Sequence, residues 1–409
     1  MFYSASTGTL HVAVTDLIFP VLAIAALLTP ATERQSLAVR PLVLFAVVMF
    51  TVVAGSALAV SLSDPDFRTG LAVKNAFKLL VVIAYAVVFA VEATQLDRDE
   101  MCDLLRTWGW TATIVSLATI ATAADIARIV PTDAWGARSF GFFQDPNLYG
   151  GYLLISLTTV VAAEVMKNSK WTIVQLLIIM TGIVLTASRG SLVSLIVVLI
   201  MAFSFVASWR VRLIIAAAGS AAGALLYAVV SGQFGGSWLA PAIDRLNESG
   251  REAGDDPRFQ MWTRAISLWN DRPLFGVGIG QFGRFSIDIN GYREDDVGQI
   301  AHNTFLSFLV ETGILGFLLC VAGILFLAFR VYRDQRLQIR LRHAFGLGIL
   351  AICLQMSTLN LHNVRYVWVL IGLIWGFTVW NSQIGRLAEA PEPSTLTNDI
   401  PAEVSTATR

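Results

Sequence analysis

The sequence predicts an all-α integral membrane protein with about 11–12 transmembrane helices and one large external loop. Three observations predict it. Of 409 residues, 56% are hydrophobic and only 14% charged, and the mean hydropathy is +0.66, well above what the core of a soluble domain requires. Apolar runs of about 17 to 25 residues recur along the chain, each long enough to cross roughly 30 Å of hydrocarbon. A single polar and aromatic stretch, 232–303, interrupts them.

The first apolar run, 10–29, follows "MFYSASTGTLHVAVTD", which lacks the basic region and cleavage site of a signal peptide, so it is expected to remain as a span. Further spans are expected at 41–62, 75–94, 109–130, 148–166, 171–187, 190–208 and 212–231, which together form an N-terminal bundle over 1–231 of about eight spans. After the loop, spans at 304–329, 343–361 and 365–385 complete the count at eleven, and 386–409 reads as a disordered cytoplasmic tail. Within the loop, Asp256-Pro257 reads as an N-cap and first helical residue, and Phe259, Trp262, Ile266 and Trp269 recur at helical spacing, which predicts an interfacial helix over about 257–270. No internal repeat is visible.

Orientation follows from the short loops. With the long loop outside, "ATERQSLAVR", "QLDRDEMCDLLR", "MKNSK", "SWRVR" and "RVYRDQRLQIRLRH" are cytoplasmic and carry thirteen Lys and Arg, about twice the number in the short external loops. The seven arginines of the long loop do not count, because long loops translocate regardless of charge. The net charge is zero, so no basic surface argues for nucleic acid. Cys102, Cys320 and Cys353 have no metal or redox spacing, and no paired Asp-x-Asp lies on the outer face.

Several external residues are chemically notable. In "LTASRGSLVSL", Arg189 can snorkel to the headgroups, or, beside Ser188 and Gly190, it can meet a phosphate oxygen. Arg258 falls in the first turn of the loop helix, where a cation opposes the macrodipole and is better tolerated beside an anion; Arg264 lies on the opposite face. His302, followed by Asn303, stands at the entry of the ninth span, either bonding the loop or exchanging a proton. Glu311 is two turns inside that span, as an interhelical hydrogen-bonder or a functional carboxyl, with Gly313 and Gly316 beyond it allowing close helix packing. Asp145-Pro146-Asn147 marks a turn before the fifth span, its side chains holding the turn or lining a cavity. The segment "GVGIG" lacks the spacing of a dinucleotide loop, and the sequon at Asn247 carries no weight by itself.

The stretches "FFQDPNLYGGYL", "LTASRGSLV", "DPRFQMWTRAISLWNDRPLFGVGIGQF" and "AHNTFLSFLVETGILGFL", in this order and separated by spans, resemble the O-antigen ligase and polymerase superfamily of bacterial polysaccharide enzymes over about residues 135–330. The resemblance implies a glycosyltransferase C-like multi-span fold in the bacterial inner membrane, with its active site facing the periplasm. It also implies an undecaprenyl-diphosphate-linked glycan as donor, a glycan or lipid A-core acceptor, and no metal or other cofactor. By motif, the family's functional arginines correspond to Arg189 and Arg258 and its histidine to His302; Ser188, Asp145, Asn147, Asn303 and Glu311 are secondary candidates for holding the diphosphate or glycan. The family pattern has twelve spans with both ends inside, one more than is counted here. The motifs suit a ligase; a polymerase of the same superfamily is the alternative. A lipid-linked glycan flippase is a second alternative, disfavoured because polar residues within spans, chiefly Asp16, Glu92, Asp125, Glu164, Glu311 and Gln355, are few.

Overall fold

The structure, a computed structural model, describes residues 19–21, 23–24, 33–130, 139–143, 145–206, 209, 212–213, 216, 257–286 and 300–389. The spans expected at 10–29 and 212–231 lie almost entirely outside these residues, as do most of the long loop and 390–409. The described chain forms α1 (Glu33–Ser63), α2 (Thr69–Ala93), α3 (Arg98–Ala123), α4 (Pro146–Met166), α5 (Thr172–Leu185), α6 (Arg189–Met201), α7 (Pro257–Asp271), α8 (Thr304–Arg333), α9 (Ile339–Met356) and α10 (Arg365–Glu389). A π-helical turn, Ala202–Val206, extends α6, and a 3₁₀ turn, Phe282–Phe285, follows α7.

Among the described residues five helices are long and apolar enough to cross a membrane: Ala38–Ser63 within α1, α2, α4, α8 and α9. Shorter apolar helices are Thr172–Leu185, Arg189–Phe205 and Arg365–Val379. The protein is an all-α integral membrane protein, and several boundaries differ from those expected. The span at 171–187 is a helix of 14 residues, about 21 Å long at 1.5 Å per residue. The span at 109–130 belongs to α3, which begins eleven residues earlier and ends at Ala123. Its start is set by a capping box in which Asp97 accepts from Glu100 N at 2.8 Å and Glu100 Oε2 accepts from Asp97 N at 2.8 Å. The helix at 365–385 continues to Glu389, four residues into the expected tail.

Alternating helix directions divide the connections into two ends. At the first end lie 64–68, the segment before α4, 186–188, 272–286, 300–303 and 357–364; at the second lie 94–97, 167–171 and 334–338. α4 sits at the centre of the bundle, with Tyr149, Leu153, Leu154 and Ile155 fully buried, as expected of a helix apolar on all faces. α2 and α10 run in the same direction and pack backbone to backbone. A Cβ on Gly372 would lie 2.4 Å from Ala86 O, and one on Gly376 2.1 Å from Ala90 O, so small residues set this distance. Trp375 Nε1 donates to Ala38 O at 2.9 Å, which ties α10 to α1.

Candidate active site

Besides α2, four helices begin at the first end: α4 at Pro146, α6 at Arg189, α8 at Thr304 and α10 at Arg365. Their N-termini meet around the α9–α10 loop. Thr304 Oγ1 donates to Leu359 O at 2.6 Å and accepts from Leu361 N at 2.8 Å, while Ser307 Oγ donates to Asn360 Oδ1 at 2.7 Å. A Cβ on Gly190 would touch Thr358 Oγ1 at 2.9 Å, so the start of α6 lies against the same loop. Tyr366 Oη donates to Leu148 O at 3.1 Å, and a Cβ on Gly150 would approach Ser191 at the α6 start. Each helix N-terminus carries roughly half a positive charge in unsatisfied N–H groups, so their convergence favours an anion.

The capping side chains explain why the helices begin where they do. Asp145 accepts from Asn147 N at 2.7 Å and Leu148 N at 3.0 Å, and Pro146 occupies the first helical position. Ser188 accepts from Ser191 N at 3.4 Å, and Asn303 Oδ1 accepts from Leu306 N at 3.0 Å. Asn147 is buried, its Nδ2 donating to Asp145 Oδ2 at 3.4 Å. Thus Asp145, Ser188 and Asn303 shape the rim by fixing three of the helix starts, and Asn147 sits behind Asp145.

Arg189 is the first residue of α6 and His302 stands two residues before α8, so both flank the Thr358–Leu361 segment. His302 has φ +49°, and Ala187, two residues before Arg189, has φ +48°. Non-glycine residues in this left-handed region cost about 1–3 kcal/mol each and concentrate at functional sites. Arg258 reaches this neighbourhood through α7: Trp262, one turn further along the same face, donates from Nε1 to Ala301 O at 2.9 Å, beside His302. Met261 and Ala265 are fully buried and pack with Val277, Phe282, Ala301 and Val310. This packed face only partly coincides with the expected aromatic stripe, since Phe259 and Ile266 are each 47% exposed.

Glu311 has a different setting. α8 is broken at Gly313 (φ +70°), and the segment after α7 enters the break: Val277 N donates to Val310 O at 2.8 Å and Ile314 N to Pro273 O at 2.9 Å. A Cβ on Gly313 would lie 2.0 Å from Leu274 O, so this glycine admits a loop; Gly316 is buried, and the atoms nearest a Cβ there belong to Thr312 of its own helix. The Glu311 carboxyl meets the backbone N–H groups of Gly280 and Phe282. "GVGIG" is therefore a buried plug with positive φ at Gly276, Gly278 and Gly280, held from α8 by Glu311. Its other side is fastened by Gln281, which bonds both Arg68 N and Arg68 O at 3.0 Å, and by Asp64, which pairs with Arg272 and Arg284 at 3.6 Å. Arg264 Nε donates to Phe285 O at 2.9 Å. Three loop arginines thus hold the plug.

Sequence reasoning missed one group at this end. Arg365 opens α10, again a cation in the first turn of a helix, and acts as a like charge on Lys78, which in turn acts on His362. Burial first, and then Lys78, hold the His362 imidazole down at about 4. The signal was available: "LHNVRY" repeats the His-Asn pair of "AHNTF" before another helix, and the macrodipole argument made for Arg258 applies equally to Arg365.

The fold and site together define a multi-pass membrane protein with a cationic, histidine-bearing site built at converging helix N-termini. Residues 174–321 match the Wzy_C family model, described as O-antigen ligase. The matched stretch contains Arg189, Arg258, His302 and Glu311; Asp145, Asn147, Lys78, His362 and Arg365 lie outside it. No curated protein matches the chain.

Proposed function

We propose that the protein is a membrane glycosyltransferase of surface-polysaccharide assembly, moving a glycan from an undecaprenyl-diphosphate carrier to an acceptor hydroxyl as an O-antigen ligase does. The observation that carries this reading is the meeting of Arg189, His302 and the Arg258-bearing helix at one end of the bundle, within the stretch that matches the ligase family. In a single displacement, the acceptor hydroxyl attacks the anomeric carbon and gives its proton to His302. The bond from that carbon to the diphosphate oxygen breaks, the configuration inverts, and the diphosphate leaves with the bonding electrons. Arg189 and Arg258 hold its growing charge, assisted by the helix N-termini. In this reading Asp145, Ser188, Asn147 and Asn303 keep the rim in shape, and Glu311 holds the plug against the helix that presents His302.

The convergent end is assigned to the periplasmic side of the inner membrane. In support, the opposite end collects Lys167, Lys170 and Arg336 in short connections and Arg98, Arg106 and Arg340 within the first three turns of the helices that start there, the distribution expected of a cytoplasmic face. A polymerase uses the same step with a second carrier-linked unit as acceptor. A deletion strain separates the two: full-length glycan retained on the lipid carrier supports a ligase, single unpolymerised repeats a polymerase, and donor trapped on the cytoplasmic face would replace both with a flippase.

A further inference from the structure

One cluster of charge at the first end has no role in the proposed transfer. The connection between α1 and α2 carries Asp64, whose side chain is 9% exposed and pairs with Arg284 (11% exposed) and Arg272 (37% exposed), each at 3.6 Å. Arg272 follows the last residue of α7, and Arg284 lies in the 3₁₀ turn beyond the plug, so one carboxylate closes the plug at both of its ends. Gln281 Oε1 adds to the closure by accepting from Arg284 Nη1 and Arg68 N, both at 3.0 Å. From α1, Ser56 Oγ donates to Phe275 O at 2.5 Å and to Glu311 O at 3.1 Å. The plug is thus gripped by α8 on one side and by α1 and the α1–α2 connection on the other.

Among the described residues no other carboxylate pairs with Arg272 or Arg284. Without Asp64 the two guanidinium groups would repel one another from opposite ends of the plug, and burial leaves that repulsion poorly screened. α7 carries the position of Arg272 to the candidate site. Arg272 N donates to Leu268 O at 3.2 Å and Trp269 O at 3.0 Å, so Arg272 continues the helix, and Arg258 stands at the other end, about 21 Å away at 1.5 Å per residue. Trp262, bonded to Ala301 O, is the fixed point between them, about 6 Å from Arg258 and about 15 Å from Arg272 along the axis. On that lever a shift of about 2.5 Å at Arg272 moves Arg258 by about 1 Å. A displacement of about 1 Å at a reacting centre can cost about 100-fold in rate.

We propose that Asp64 is a positioning residue for the transfer reaction: by holding Arg272 and Arg284 together it fixes the far end of α7 and so sets Arg258 against Arg189 and His302. This rests on the role given to Arg258 above, and it adds a residue outside the matched stretch, on the connection between the first two described helices.

The test uses the full chain in nanodiscs and reads two quantities, transfer from a lipid-linked glycan donor and the distance between nitroxide labels at positions 259 and 300. Both positions are about half exposed, and they lie on either side of the Trp262–Ala301 contact. Asp64→Asn should lower transfer about 10- to 100-fold and broaden the label distance, while Asp64→Glu, which keeps the charge, retains most of the transfer. Removing one of the two like charges as well should restore part of the loss, so Asp64→Asn combined with Arg272→Gln should transfer better than Asp64→Asn alone. That combination also tests the proposal where Asp64→Asn alone fails to fold. In an Arg258→Lys background, Asp64→Asn should cost no more than about a further twofold, because both changes disturb one interaction. Losses that multiply in full, or label distances that stay as in wild type, would reduce the cluster to a stability element and overturn the proposal. A label distance that broadens with Asp64→Asn in a protein whose transfer is indifferent to Arg258→Ala would overturn the proposed function and leave the fastening of α7 standing.

Discussion

Arg189, Arg258 and Arg365 each occupy the first turn of a helix, where a cation is opposed by the macrodipole at a cost of about 0.3–1 kcal/mol. Three repetitions at or beside one end of the bundle suit the anion that the proposed function places there. If Arg258 holds the departing diphosphate, Arg258→Ala lowers transfer about 100- to 1,000-fold, and Arg258→Lys recovers only part, because a lysine restores the charge without the planar fork. Transfer assayed in membranes with a lipid-linked glycan donor checks both. His362 yields a stability prediction. Its imidazole titrates at about 4 in the fold against an ordinary 6.5, so at intermediate pH the unfolded chain binds the extra proton. Stability is therefore full above about 6.5 and falls as pH drops towards 4, and His362→Gln should flatten this slope in melting-temperature measurements between those values. That Arg189, Arg258 and His302 lie at helix starts was legible in the sequence, because capping residues and motifs display such positions. Lys78 was hidden because its neighbours Arg365 and His362 are remote in sequence.

At the scale of elements, the decisive feature is the break in α8. A glutamate inside an apolar run reads from sequence as an interhelical hydrogen-bonder or a functional carboxyl; in the fold its partners are backbone N–H groups of a loop threaded through Gly313, some 30 residues earlier in the chain. Neither periodicity nor hydropathy encodes such a contact, because the run stays apolar across the break. Gly313→Ala places a methyl 2.0 Å from Leu274 O at a φ that L-residues avoid, so it should expel the plug, destabilise the protein by about 1–3 kcal/mol and displace α7 and Arg258. A lower melting temperature together with faster proteolysis after Arg272 would be the readout. Helix identity was well read, as with the loop helix expected at 257–270 and found at Pro257–Asp271. Helix ends were less so, since α3 starts where a charged capping box sets it and the apolar run begins later.

For the molecule as a whole, the fold is an α-helical membrane bundle whose two ends differ in kind. One end gathers helix N-termini, a glycine-rich plug and the candidate site, and the other gathers short basic connections. The account predicts opposite sides for Asp125 and Asp103, whose side chains are both largely exposed. A cysteine at 125 should react with an impermeant maleimide in intact spheroplasts, and one at 103 only after the membrane is opened. The most direct measurement is complementation of the deletion strain with Arg189→Ala, Arg258→Ala and His302→Ala, each quantified in the membrane fraction, followed by analysis of carrier-linked and surface glycan. The account predicts that all three insert at wild-type levels while glycan stays on the carrier and is lost from the surface. Normal surface glycan with His302→Ala or with either arginine variant would contradict the site described.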